Sequence, residues 1–141
     1  MAAKLLAPNG PGRITRAGQA ARFTLAAIRV INGGLALIAP GVITGRFDEQ
    51  PASGAAIYGL RMFGIRTVLL GVDLATLSGP PLRRALREAV IIHATDTATV
   101  VVLGVTGRAK PRTAIPLALI SLTNTALAIT ACLADRAERK A

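Results

Sequence analysis

Four stretches of this 141-residue chain, roughly residues 23–45, 57–78, 89–107 and 114–133, are dominated by apolar side chains. A helix needs about 20 such residues to cross ~30 Å of hydrocarbon. A water-soluble domain of this size does not need four of them. In lipid, backbone polar groups must be satisfied inside the segment or in a closed barrel, so isolated spanning segments are helices. The third stretch, "VIIHATDTATVVVLGV", is rich in Thr and Val and in water would pass for a strand. Its three companions of spanning length make it a helix, because an open strand edge has no partner in hydrocarbon. The expected fold is all-α, an integral membrane four-helix antiparallel bundle.

The punctuation fits that reading. "SGPPLRR" (78–84) joins spans two and three, with Pro81 suited to a first helical turn. "GRAKPRT" (107–113) joins spans three and four, where Thr113 is a candidate cap with Pro116 still in the first turn. Connections this short make neighbouring helices antiparallel. Pro40 is expected to bend or thin the end of the first span. "GVITG" (41–45) and Gly59, Gly64 and Gly71 offer close helix contacts. The chain divides into a disordered basic tail (1–19), the bundle (20–135) and a short basic tail (136–141).

The net charge of +10 raises the question of nucleic acid, but its distribution argues for topology. Ten basic residues, from Lys4 to Arg22, from Arg83 to Arg87 and from Arg136 to Lys140, fall on one side of the spans. Only Arg46, Arg108, Lys110 and Arg112 fall on the other. By the positive-inside rule both termini are expected to be cytoplasmic; the expected location is a cell inner membrane, with the anionic bilayer as its first partner and no nucleic acid. The first span carries Arg29 and Asn32 and is too long for a signal-peptide core, so it is expected to stay uncleaved. A single cysteine, Cys132, excludes an internal disulfide and a CxxC redox pair.

Three basic residues, Arg29, Arg61 and Arg66, lie within the spans, together with Asp73, Asp96, His93, Asn32 and Asn124. An ionised side chain at the bilayer centre costs about 2.5–3.5 kcal/mol on insertion scales, so such groups pair or face a watery cavity. By residue count, Asn32, Arg66, Asp96 and Asn124 sit near the midpoints of the four spans, and every helix supplies one. Arg29, Asp73 and His93 form a second layer about 6–10 Å nearer the cytoplasm at 1.5 Å per residue. The expectation is that Arg66 points inward and pairs with Asp96, with Asp73 below. Arg61 is expected to snorkel, and Glu88 to face Arg84 or Arg87 at the interface.

"RVINGGLALIAP" (29–40), "GIRTVLLGVDL" (64–74) and "HATD" (93–96) together resemble small bacterial four-helix membrane proteins of the DoxX-like kind, including actinobacterial domains of unassigned function. The likeness spans most of residues 22–133. It implies a four-helix bundle with Arg29, Arg66 and Asp96 at family-like polar positions and, for a few members, a redox-linked accessory role. This chain lacks the paired cysteines or histidines that such chemistry uses, and no cofactor is expected.

Three roles suit the buried Arg/Asp/His/Asn cluster. It is structural or accessory, fixing helix register. Alternatively it is an intramembrane acid–base site on a lipophilic small molecule, of isomerase, epoxide-opening or cyclase type. There His93 is the acid or base oriented by Asp96, and Arg66 stabilises an oxyanion with Asp73 beside it. In the third reading, Arg29, Arg66, Asn32 and Asn124 bind or carry an amphipathic anion. His93 and Asp96 alone are too few for a metal. A membrane protein partner is compatible with all three.

Overall fold

The computed structural model describes residues 11–47 and 53–140, with side chains from 15 to 45 and 53 to 140. Lys4, the side chains of Arg13 and Arg46, and the expected disorder of residues 1–10 lie outside that description. Among the described residues five helices follow one another: α1 (Pro11–Ile38), α2 (Pro40–Phe47), α3 (Gly54–Thr76), α4 (Gly79–Val105) and α5 (Pro111–Glu138). Four of them, over Thr15–Ile38, Gly54–Thr76, Gly79–Val105 and Pro111–Glu138, are long and apolar enough to cross a membrane. The protein is an all-α four-helix bundle and a small multi-pass membrane protein.

It differs from a soluble bundle in where its large apolar side chains lie. The core is built largely of small side chains, among them Ala26, Ala36, Ala89, Ala128 and Ala131, with Leu25, Leu74 and Leu86 as the only large side chains that are fully buried among the described residues. Ile31, Ile38, Tyr58, Ile91 and Val105 face outward with at least 65% of their surface exposed. A belt of that kind is stable only against hydrocarbon. Between helices in lipid there is no hydrophobic drive, so close van der Waals approach over small residues does the packing.

The α1–α3 seam is the tightest. A Cβ placed on Gly64 would lie 2.6 Å from both the Gly33 carbonyl oxygen and the Leu37 amide nitrogen, and one on Gly71 would lie 3.0 Å from the Ala26 carbonyl oxygen. Gly41 and Gly45 stand in open space, so "GVITG" is not a packing motif, and a Cβ on Gly59 would also meet nothing. α5 packs on the other flank of α1, where Gly18 meets Ala134. α4 packs on α5, whereas α3 and α4, consecutive in the chain, barely meet. The order across the bundle is therefore α3, α1, α5, α4, with a cleft between its two ends.

Helix ends differ from the sequence expectation in instructive ways. α1 already begins at Pro11, so residues 11–19 are helix rather than tail. Pro40 does more than bend the first span: α1 stops at Ile38 and α2 starts afresh at Pro40, which has no N–H to continue the ladder. Lys110, not Thr113, is the N-cap of α5; Pro111 is its first residue and Pro116 lies in its interior. Pro80 and Pro81 fall in the first turn of α4, as their fixed φ favours. At the end of α3, Arg22 reaches across from α1 and donates to the carbonyls of Leu74, Ala75 (3.2 Å) and Leu77 (2.7 Å), groups that the helix leaves orphaned.

The threonines of the third and fourth spans are compatible with lipid because their hydroxyls turn back onto their own helices. Thr95 donates to Ile91 (2.8 Å), Thr97 to His93 (2.7 Å), Thr125 to Ser121 (2.8 Å) and Thr130 to Ala126 (2.8 Å). Glu88 pairs with Arg84 at 2.9 Å, one turn away, and Arg61 is exposed.

Candidate functional site

Each spanning helix buries one polar residue. Arg29 on α1, Thr67 on α3, His93 on α4 and Asn124 on α5 are each no more than 7% exposed, and among the described residues they are the only buried polar or charged side chains. The reason is helical phase. Arg29 lies in register with Leu25, Gly33 and Ala36, Thr67 with Gly64, Gly71 and Leu74, His93 with Leu86 and Ala89, and Asn124 with Ala128, Ala131 and Ala134. All four line one cavity of about 330 Å³. Ile28, Leu35, Leu60, Phe63, Leu117 and Ile120 form its apolar walls. Phe63 and Ile120 are half exposed, so the cavity reaches the outer face of the bundle.

Three of the residues that line this cavity carry buried, unsatisfied polar atoms. Arg29 Nε and Nη1, His93 Nε2 and Asn124 Oδ1 are buried and have no hydrogen-bond partner. Asp96 is near enough to attract Arg29 electrostatically but forms no ion pair with it. Its carboxylate is 45% exposed, with Oδ2 3.7 Å from His93 Nδ1, too long for a hydrogen bond. Nearby, the Thr97 and Thr125 hydroxyls lie 3.2 Å apart across the α4–α5 contact, where one can donate to the other only by giving up the carbonyl of its own helix.

The expected Arg66–Asp96 pair does not form. Arg66 is exposed, because it sits one residue, about 100° of helix turn, from the buried Thr67. It lines instead the cleft between α3 and α4, a second cavity of about 460 Å³ with Met62, Leu70 and Ile92. The cleft and the central cavity share Arg29, Phe63, Thr67, His93 and Asp96, so they meet at the polar ring. Asp73 lines neither cavity and is not part of the ring. Asn32 is exposed but borders the central cavity one turn from Arg29. Thr67 carries no charge to mark it in the sequence; its signal is its place among the small residues of the "GIRTVLLG" face.

The chemistry on offer is a guanidinium with free donors, an imidazole nitrogen and an amide oxygen in apolar surroundings. Such a set can hold an anionic group on two N–H donors and an accompanying hydroxyl or protonated oxygen on Asn124. His93 and Asp96 supply only two donors toward a metal, fewer than a stable site uses. Comparison with protein families, with curated proteins and with solved structures finds no match for this chain.

Proposed function

We propose that the protein binds an amphipathic anion from within the bilayer, with the acidic group on Arg29 and the tail against the apolar cavity wall. The observation that carries this reading is Arg29 itself, 3% exposed with Nε and Nη1 unpartnered at the cavity. A polar cluster that served only to fix helix register would satisfy its donors, since an unmet buried donor costs about 1–3 kcal/mol and more when charged. A volume of 330 Å³ is at the small end of ligand sites. It suits a headgroup and the first part of a chain whose remainder lies in lipid.

The α3–α4 cleft, with Arg66 at its mouth, is the lateral way in. A second reading, acid–base chemistry on the bound molecule, is favoured by His93, which lines the same cavity with Nε2 unpartnered and Nδ1 3.7 Å from Asp96 Oδ2. The likeness to DoxX-like proteins and an inner-membrane location with both termini cytoplasmic belong to this proposal and rest on the motifs and charge distribution of the sequence.

The test is binding of a fluorescent long-chain fatty acid to the purified protein, beside its methyl ester. The carboxylate binds the native protein and the ester does not. Arg29→Gln weakens carboxylate binding by about tenfold or more, the loss of one charge-assisted contact. Equal binding of acid and ester, or undiminished binding by Arg29→Gln, overturns the reading.

A further inference from the structure

A separate basic pocket lies at the end of the bundle that carries the chain termini. The first turns of α4 and the last turns of α5 flank a cavity of about 210 Å³ into which Arg83, Arg87, Arg136 and Arg139 converge. It shares no residue with the cavity around Arg29. Arg83 and Arg87 are four apart on α4, and Arg136 and Arg139 three apart on α5, so each pair shares a helix face. Like charges at that spacing repel. The cavity contains one acid, Asp135, whose Oδ2 is 3.4 Å from Arg139 Nε. Arg84, on the adjoining face, has Glu88 at 2.9 Å. Among the described residues no carboxylate pairs with Arg83, Arg87 or Arg136.

The floor of the pocket is apolar, formed by the buried Leu86 and the half-buried Cys132. Three unanswered guanidinium groups above an apolar floor, near the ends of two spanning helices, put positive charge where a bilayer presents its headgroups. Guanidinium forks match the paired oxygens of a phosphate, and basic pockets between membrane helices are a recurrent way to hold a phospholipid headgroup.

We infer that this pocket is a phosphate-binding site, filled by the phosphodiester of an anionic phospholipid or by free phosphate. Asp135 weakens it by occupying Arg139, so removing that carboxylate frees a fourth guanidinium.

The full chain in detergent is titrated with phosphatidylglycerol, with phosphatidylcholine and with inorganic phosphate, reading bound lipid by native mass spectrometry and thermal protection in parallel. Phosphatidylglycerol binds and protects more strongly, by about tenfold or more, than phosphatidylcholine, whose choline cation the arginines repel although it carries the same phosphodiester. Arg83→Gln combined with Arg136→Gln weakens binding by about tenfold or more. Arg108→Gln, at the other end of the bundle, leaves it unchanged. Asp135→Asn tightens binding several-fold, and this arm decides the matter if the double variant does not fold. Protection by inorganic phosphate equal to that by lipid assigns the site to the soluble anion. Binding that falls as much in Arg108→Gln as in the double variant, or that is unchanged or weaker in Asp135→Asn, overturns the site.

Discussion

Arg66 and His93 are polar residues of the membrane-spanning helices with opposite fates. Arg66 faces outward at the cleft, so Arg66→Leu strands no buried partner. Its effect on folding stability in detergent is expected within about 0.5 kcal/mol, in place of the roughly 3–5 kcal/mol that losing one member of a buried pair costs. Thermal unfolding of the variant beside Arg61→Leu checks this, and a large loss confined to Arg66→Leu restores the pair. His93 is buried, yet Nε2 has no partner and Nδ1 makes no hydrogen bond. His93→Gln keeps size and polarity and is expected to lower the melting temperature only slightly. A large drop points to a structural bond made by the ring.

At the scale of the helices, α1 and α3 approach over glycine. Gly64→Ala drives a methyl into the Gly33 carbonyl and the Leu37 backbone, both rigid, and is expected to cost about 1–3 kcal/mol as overpacking. Gly34, one residue from Gly33, has nothing within 4 Å of its would-be Cβ. Gly34→Ala is therefore neutral or slightly stabilising, since alanine is the better helix former. Paired unfolding curves decide it, and equal effects at the two sites show that the seam is not where the glycines place it.

For the whole molecule, the number of spans was legible because spanning length and hydropathy are properties of the chain read in one dimension. The rule of one polar residue per helix was also legible, but three of its four members were displaced: Arg29 for Asn32, Thr67 for Arg66, His93 for Asp96. Depth follows from residue count, whereas the inward face depends on which neighbour each helix meets. Local pattern does not state that α1 packs between α3 and α5 and leaves α3 and α4 apart. Orientation rests on charge alone and is directly testable. In a Cys132→Ala background, Pro80→Cys is expected to react with a membrane-impermeant thiol reagent only after the cytoplasmic face is opened, and Ala109→Cys from outside intact cells. The reverse pattern inverts the topology.

The central claim is that Arg29 is held in the bundle for a ligand and not for the fold. Arg29→Met keeps the volume and removes a buried charge that no hydrogen bond answers. The decisive measurement is the melting temperature of this variant in detergent without added ligand, beside the native protein. Relief of a desolvated charge, about 2.5–3.5 kcal/mol on the insertion scale, predicts a melting temperature equal to or above the native value. A fall of the size expected for a broken buried ion pair, roughly 3–5 kcal/mol, would show that Arg29 holds the helices together and would contradict the account.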